Sequence, residues 1–325
     1  MDIAVETKAL RRVYRSRSQE VVALDGVDVH VRRGERFGVL GPNGAGKTTL
    51  IKILVTLLLP SSGEAFVDGL DVVRQFRELR HRIAMVSGGE NVGFGMLTVR
   101  EQLWMFSQFY GMPSQSARRD IDELLERLGL SDAGNRRIST LSSGMRQKMN
   151  LIRGLITNPR ILFLDEPTVA LDVGAARDVR DEIRRWMAED PTRTVILTTH
   201  YMMEADELCD RVAIVNRGRI VAQGTPAELK QQVQQEGIVD LQLSPGGRLL
   251  DALRSIEGVV GASVLEQDGI DRFSLLLSSD AALTGVMRIV EGSGRRIHGV
   301  QKREATLEDA FVKLVGRSMA EEEQT

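Results

Sequence analysis

Short apolar segments along this chain are separated by longer segments in which apolar residues recur at helical spacing. In segment 27–31 every second residue is a valine and the residues between are polar, which predicts a strand. In segment 118–130 isoleucine and leucine recur three or four residues apart, which predicts a helix. Runs rich in leucine and β-branched residues at 161–164, 194–197 and 212–215 predict buried strands with helices between them. We therefore expect an α/β fold whose sheet is largely parallel and carries helices on its faces.

The character of the chain changes at two places. From Thr98 onward the pattern is mostly helical, and Thr98 with Glu101 forms a predicted capping box at the start of this block. After a polar run at 231–236, the predicted elements follow the order β-α-β-β-α-β and end in a helix at 307–315, which suggests a small ferredoxin-like sheet. The predicted division is a large domain over residues 1–235 with a helical subdomain at about 90–160, a small α+β domain over 236–317, and an acidic tail over 318–325.

Composition narrows the possible partners. The 325 residues are 42% hydrophobic and 27% charged, with a formal charge of -2, which is ordinary for a globular protein and argues against nucleic acid as a partner. The lone Cys209 excludes an intramolecular disulfide and fits a reducing cytoplasm. The longest apolar stretch, 51–59, is interrupted by Lys52 and Thr56 and is too short to cross a bilayer. Any membrane role would therefore need a partner.

A glycine-rich stretch between a predicted strand and a predicted helix carries the clearest chemistry. It fits the pattern G-x-x-x-x-G-K-[ST], in which backbone N–H groups and the helix N-terminus surround phosphate oxygens. Lys47 is expected to reach the β- and γ-phosphates of a nucleotide, and the Thr48 hydroxyl to ligate Mg²⁺. The alternative is a glycine-rich turn with an unrelated lysine. The candidate phosphate-binding residues are Gly41, Pro42, Asn43, Gly44, Ala45, Gly46, Lys47, Thr48 and Thr49.

Two acidic residues follow the apolar run at 161–164. Asp165, at the carboxyl end of a buried strand, is predicted to hold Mg²⁺ beside the phosphate loop, usually through water. Glu166 is predicted to polarise the attacking water. In isolation the pair could be surface acids at a strand end, but their position downstream of a phosphate loop favours the functional interpretation.

A further anion site is predicted at the start of the helix that follows Leu141. Ser142, Ser143 and Gly144 offer hydroxyls and free N–H groups at a helix N-terminus, which suits an anion. The same residues would also make an ordinary helix cap, and the local pattern does not separate these two readings.

Taken together, the motifs resemble those of the ATP-binding subunits of ABC transporters. The phosphate loop, Leu141–Met145, Leu162–Pro167, Ala170–Asp172 and His200 occur in the order and at the spacing of that family, over residues 1 to about 235. The C-terminal segment Thr306–Phe311 resembles, more weakly, the small C-terminal domain of daunorubicin-resistance-like exporter ATPases. The resemblance implies a P-loop NTPase fold with a mostly parallel sheet, an antiparallel β subdomain and a helical subdomain, followed by a small α+β domain.

The resemblance also implies an ATPase that uses ATP and Mg²⁺. Tyr14 would stack on adenine, although a half-buried strand tyrosine is the alternative. Ser142, Ser143 and Gly144 would contact the γ-phosphate held by the opposite subunit, with Asp172 nearby in the ATP site. His200 would bond the γ-phosphate and hold the geometry of the attacking water.

The implied machine has two further components. A second ATP-binding subunit, either another copy or a paralogue, would close head-to-tail over two ATP molecules. A membrane-spanning permease would seat a helix in a groove near residues 88–109, which places the chain at the cytoplasmic face of the membrane as the motor of an exporter. The alternatives are a soluble ABC ATPase without a transporter and a weakly hydrolysing ATP-dependent switch.

The chain departs from the family pattern at two points. Met145 stands where the signature has a polar side chain, so contact there must rely on the backbone. After the strand at 83–86 the family usually has a Mg²⁺-ligating glutamine, whereas this chain reads Ser87-Gly88-Gly89-Glu90-Asn91. Glu90 is the nearest substitute, because a carboxylate also ligates Mg²⁺.

The Glu90 assignment makes a direct prediction. Glu90→Ala should weaken ATP turnover while sparing ATP binding, since it removes a metal ligand and leaves the phosphate loop intact. Steady-state phosphate release and equilibrium nucleotide binding would measure the two effects separately. Turnover equal to that of the wild type would refute the assignment.

Overall fold

The computed structural model describes residues 2–16, 20–88, 94–233, 237–246, 249–267 and 269–315, so that Glu90 and the tail at 318–325 lie outside the described residues. Within these ranges, each helix is too short or too polar to traverse a bilayer. In chain order the first elements are β1 (Ile3–Arg15), β2 (Glu20–Val27), β3 (His30–Arg32), β4 (Arg36–Leu40), α1 (Lys47–Leu54), β5 (Ser62–Val67), β6 (Leu70–Asp71), α2 (Phe76–Leu79), β7 (Ile83–Ser87), α3 (Val99–Phe109), α4 (Ser114–Arg127), α5 (Ser143–Leu155), β8 (Ile161–Asp165), α6 (Val173–Glu189), β9 (Thr194–Thr199), α7 (Met202–Leu208), β10 (Arg211–Asn216), β11 (Arg219–Gly224) and α8 (Pro226–Gln231). The remaining elements are β12 (Gly237–Leu243), α9 (Leu250–Arg254), β13 (Val259–Gln267), β14 (Ile270–Leu277), α10 (Asp280–Gly292), β15 (Ile297–Arg303) and α11 (Leu307–Val315).

The central sheet has six strands in the order β11-β10-β4-β9-β8-β7. Its five strands from β10 to β7 are parallel, and only β11 runs antiparallel to its neighbour. Strands β8 and β9 are buried along their whole length, as their apolar sequence predicts, because both faces of the parallel sheet are covered by other elements. The predicted α/β class with a mostly parallel sheet is confirmed.

A second sheet is antiparallel and lies over the first. It runs β2-β1-β5-β6, with β3 also paired to β1. Val27, Val29 and Val31, the alternating valines of the sequence, are all buried in the core that this sheet shares with α1 and the central strands. The alternation therefore predicts the buried face correctly, although the structure divides the segment between β2 and β3.

Helices α3, α4 and α5 form the helical block between β7 and β8. Thr98 caps α3 in a capping box with Glu101, as predicted. The apolar face of α4 is buried against the rest of the block through Ile121 and Leu125. Helix α5 approaches the sheet closely at Gly154, where a Cβ atom would lie 2.6 Å from Val86 Cγ2. A larger residue at this position would push the helix away from β7.

The C-terminal elements build a separate antiparallel sheet in the order β13-β14-β12-β15. One face of this sheet packs against α9 and α10 around its own apolar cluster, which includes Leu241, Phe273 and Val286. The order of elements is β-α-β-β-α-β followed by α11.

Helix α11 lies between this C-terminal sheet and the rest of the molecule. It contacts α7, α8 and β13, and Phe311 is fully buried in the same apolar cluster as Ala205 and Leu208 of α7. Its first turn is fixed by Arg303 at the end of β15, whose Nη1 lies 2.6 Å from Oδ2 of Asp309. One apolar cluster therefore extends without a break from the central sheet and α7 to α11.

The buried position of Phe311 makes a stability prediction. Phe311→Ala should lower the free energy of unfolding by about 3–5 kcal/mol, because it removes a large buried ring and leaves a cavity. Urea unfolding of the full chain would measure the loss. Leu314→Ala on the same helix is the matched control, because Leu314 is 39% exposed and its loss should matter little. Equal effects of the two substitutions would show that α11 is not part of the core.

Candidate nucleotide-binding and catalytic site

The predicted phosphate loop lies between β4 and α1, at the carboxyl edge of the parallel sheet. Gly46 caps α1 with a φ of 108°, in the left-handed region that favours glycine. A Cβ atom at Gly46 would lie 2.4 Å from the carbonyl oxygen of Ala23, and one at Gly41 would lie 2.2 Å from that of Val215. Close backbone packing therefore requires glycine at both positions. The N-terminus of α1 follows directly after the loop, where its free N–H groups favour an anion.

Lys47 is only 4% exposed, and its ammonium group lies within the loop. Nζ donates hydrogen bonds to the carbonyl oxygens of Gly41 at 2.6 Å and Pro42 at 3.1 Å. The same atom lies 3.3 Å from Oε1 of Glu166. The phosphate loop therefore meets Glu166, the residue after β8, at this lysine.

Asp165 ends β8 and is almost fully buried beside the loop. Its Oδ1 accepts a hydrogen bond from Thr48 Oγ1 at 3.2 Å and another from Thr198 Oγ1 of β9. The parallel register pairs Asp165 directly with Thr198. The sequence pattern does not single out Thr198, because a single threonine near the end of an apolar strand is common. Only the pairing of β8 with β9 shows that it orients the carboxylate.

The oxygens of Thr48 and Asp165 suit a hard cation. Mg²⁺ prefers oxygen ligands and is usually held by one or two protein groups, with phosphate and water completing the shell. No cluster of three or more acidic, histidine or cysteine side chains able to cage a metal ion occurs among the described residues. The residues present therefore fit a cation that is shared with a bound phosphate.

Glu166 has a φ of 51°, which is uncommon for a residue with a side chain. Its backbone N–H donates to the carbonyl oxygen of Thr198 at 3.0 Å, and this bond holds the turn against β9. On the other side, Gly88 approaches so closely that a Cβ atom there would lie 1.8 Å from the Glu166 carbonyl oxygen. Gly88 is thus a second residue whose importance the sequence alone did not reveal. Backbone strain of this kind is typical of functional sites.

His200 follows the last residue of β9 and completes the group. Its Nδ1 lies 3.3 Å from Oε2 of Glu166, whose other oxygen faces Lys47. The imidazole also packs against the ring of Tyr201, with 4.1 Å between ring centroids. The structure therefore brings together Lys47, Glu166 and His200, three residues that are far apart in the sequence.

The residues of the predicted signature occupy two neighbouring helix N-termini. Ser142 caps α5 by accepting a hydrogen bond from the backbone N–H of Met145 at 3.2 Å. Asp172 caps α6 by accepting one from the N–H of Ala175 at 2.8 Å. Gly144 brings the two helices together, because a Cβ atom there would lie 3.0 Å from Ala175 Cβ. The side chains of Ser142 and Asp172 thus bond within their own helices. Ser143, in the first turn of α5, is exposed.

Tyr14 lies on β1 near the C-terminal end of the phosphate loop. Its hydroxyl is 3.5 Å from Thr49 Oγ1, and its ring is 40% exposed. The Arg12 guanidinium lies 4.8 Å from the ring centroid. An exposed aromatic ring beside the loop is available for stacking on a flat ligand.

Comparison with known proteins agrees with this geometry. The family model described as ABC transporter matches residues 24–169. The chain is 39% identical to the daunorubicin resistance ATP-binding protein DrrA3 of Streptomyces coeruleorubidus, over 90% of this chain and 91% of that protein. It is 34% identical to the Nod factor export ATP-binding protein I of Burkholderia orbicola, over 92% of this chain and 93% of that protein.

Solved structures give the same result. The dimeric structure of an ATP-binding cassette in a post-hydrolysis state, bound to ADP and phosphate, superposes with a TM-score of 0.63 at 25% identity and covers 68% of this chain and 98% of that chain. The sequence relatives span the chain almost from end to end, and the structural relative carries the same nucleotide-binding core. This chain therefore belongs to the ATP-binding subunits of ABC transporters and is an ATPase.

Proposed function

We propose that this chain binds MgATP together with a second ATP-binding subunit and that hydrolysis drives export through a separate membrane-spanning partner. The convergence of Lys47, Glu166 and His200 beside the Thr48–Asp165 pair carries this proposal. These groups are the charged and proton-accepting side chains that phosphoryl transfer to water requires. The proposed location is the cytoplasmic face of the membrane.

Each side chain in this group has a distinct role. Lys47 neutralises charge on the β- and γ-phosphates. Glu166 accepts a proton from the attacking water, and His200 bonds the γ-phosphate and holds that water in line. Thr48 and Asp165 would hold Mg²⁺, which would neutralise phosphate charge. Glu90 remains a proposed further ligand whose position the described residues do not include.

Ser142, Ser143, Gly144 and Asp172 act on the nucleotide of the second subunit. Their support is the pair of adjacent N-termini of α5 and α6, whose positive dipole ends favour a phosphate group. One chain then supplies the phosphate loop of one site and the signature of the other. The second subunit is either another copy of this chain or a paralogue. Tyr14 stacks on the adenine of the nucleotide that its own phosphate loop binds.

A groove between the helical block and the central sheet is the proposed seat of the membrane partner. The cavity there has a volume of about 430 Å³. Leu57 on its rim is 64% exposed, and Phe106 lies under the Arg153 guanidinium at 5.1 Å. An apolar floor with arginines at the rim fits an amphipathic helix that carries an acidic end. The lining residues are Val55, Leu57, Arg80, Ile83, Ala84, Met85, Phe106, Tyr110, Arg153, Gly154 and Thr157.

The groove supports the exporter over the alternatives. A soluble ABC ATPase without a transporter has no need of a seat for a membrane helix, whereas an exporter subunit does. The names of the relatives, one a drug-resistance protein and one an export protein, support outward transport. The presence of both Glu166 and His200 favours an active ATPase over a weakly hydrolysing switch.

The proposed domain division places the cassette at residues 1–235, with its helical subdomain at about 90–160, and an accessory domain at 236–317. Its support is that β12 to β15 form their own sheet with their own apolar cluster. Because α11 packs on both parts, we propose that the accessory domain stabilises or regulates the cassette rather than acting independently.

The role of Glu166 can be tested by trapping the dimer. Glu166→Gln should lower ATP turnover at least about 100-fold, because it removes the proton acceptor while leaving the nucleotide contacts in place. Size-exclusion chromatography with light scattering should then show a stable dimer in saturating ATP. The same variant carrying Lys47→Ala should stay monomeric, since it cannot hold the phosphates. A monomeric Glu166→Gln variant in saturating ATP would contradict the mechanism.

The docking groove makes a separate prediction. Leu57→Asp should reduce co-purification with the membrane partner about tenfold, because it replaces an exposed apolar residue on the rim of the groove with a charge. The ATPase activity of the isolated subunit should remain unchanged. Val73→Asp is the matched control, because Val73 is also exposed but lies outside the groove. Equal binding of both variants to the partner would place the interface elsewhere.

A further inference from the structure

Glu204, on α7, is a buried acidic residue that the proposed mechanism does not use. It is only 4% exposed, although glutamate is rarely buried without a specific reason. Its Oε1 accepts a hydrogen bond from Thr168 Oγ1 at 2.8 Å, and Thr168 is itself buried. A buried carboxylate costs stability by desolvation unless its bonds compensate for the loss. The hydrogen bond from Thr168 offsets part of this cost.

The Thr168–Glu204 bond connects the two backbone segments that carry the catalytic side chains. Thr168 lies two residues after Glu166, and Glu204 lies four residues after His200. The side chains of Glu166 and His200, at the first residues of these segments, lie 3.3 Å apart. The two contacts close a ring that consists of residues 166–168, residues 200–204 and the two bridges between them. Losing the Thr168–Glu204 bond removes the side-chain bridge at one end of these segments and leaves the backbone bond from Glu166 to Thr198 in place.

The surrounding groups fix Glu204 within this ring. Its backbone N–H donates to the carbonyl oxygen of Tyr201 at 3.1 Å, which ties the start of α7 to the residue after His200. Burial raises the pKa of the Glu204 carboxyl above its usual value, while the Thr199 and Thr168 hydroxyls and the charge of Arg180 act in the opposite direction. Glutamine has the same shape as glutamate and keeps an oxygen that can accept the hydrogen bond from Thr168.

We infer that Glu204 is a positioning residue, which through its hydrogen bond to Thr168 holds Glu166 and His200 at the separation that hydrolysis requires. This inference rests on the catalytic roles proposed above for those two residues. The left-handed φ of 51° at Glu166 and of 57° at Ala170 shows why such a bond is needed. A segment with two strained residues relaxes unless its neighbours hold it in place. Thr168 lies between these two positions and is the point where α7 holds the segment.

The test measures ATP turnover and apparent ATP affinity of the full chain with Mg²⁺. Glu204→Ala should lower kcat about 10- to 100-fold, the range expected when catalytic groups shift by about 1 Å. KM for ATP should change less than about threefold, because the phosphate loop is untouched. Thr168→Val, which removes only the hydroxyl at nearly constant volume, should show the same loss. Glu204→Gln keeps an acceptor for Thr168 and should retain most of the wild-type kcat.

Two further comparisons distinguish positioning from general destabilisation. The double variant Glu204→Ala with Thr168→Val should lose no more kcat than either single variant, because all three break one bond. Asp206→Asn is the matched control: Asp206 lies on the same helix, its side chain is 38% exposed, and it pairs with Lys230. Its kcat should stay within about twofold of the wild type.

Three results would each overturn the inference. They are a wild-type kcat in Thr168→Val, multiplicative losses of kcat in the double variant, and a loss of kcat in Glu204→Gln equal to that in Glu204→Ala. If Glu204→Ala fails to fold, Thr168→Val and Glu204→Gln still decide the question. The Glu166→Gln variant shows whether a failure concerns the proposed function or only the role of Glu204. Full turnover in that variant would refute the role of Glu166, whereas its expected loss together with an active Thr168→Val would refute only the role of Glu204.

Discussion

The parallel pairing of β8 with β9 is the constraint on which the site depends. In a parallel pair both strands end at the same edge, so Asp165 lies opposite Thr198, and the residues that follow, Glu166 and His200, come within 3.3 Å. The neighbouring strand β4 delivers the phosphate loop to the same edge, which places Lys47 against Glu166. Ligands of open α/β sheets bind outside the carboxyl ends of the strands for this reason.

Close backbone packing then sets the geometry within this edge. Gly41, Gly46 and Gly88 each lie where a Cβ atom would collide with a carbonyl oxygen. Glu166 meanwhile adopts a left-handed conformation that most residues avoid. The cost of this arrangement is offset by the buried apolar strands beneath it, because a rigid, close-packed core can hold strained turns at its margin.

Helix α7 connects the catalytic edge with the C-terminal part of the chain. Glu204 on this helix bonds to Thr168 in the site, while Ala205 and Leu208 pack in the cluster that contains Phe311 of α11. Helix α7 therefore lies between α11 and the residues of the site. Contiguous packing therefore links the proposed accessory domain to the edge of the sheet that carries Glu166 and His200.

Local pattern in the sequence determined the α/β class, the buried strands and the candidate residues from Lys47 to His200, because periodicity and motif spacing are properties of neighbouring residues. The Thr98 cap and the buried face of α4 followed from the same local rules. Tertiary structure alone decided that Thr198 orients Asp165, that Gly88 supports Glu166, and that Glu204 binds Thr168. These contacts join residues on different strands and helices, and their distances depend on sheet register and helix packing, which no short segment of the chain encodes by itself.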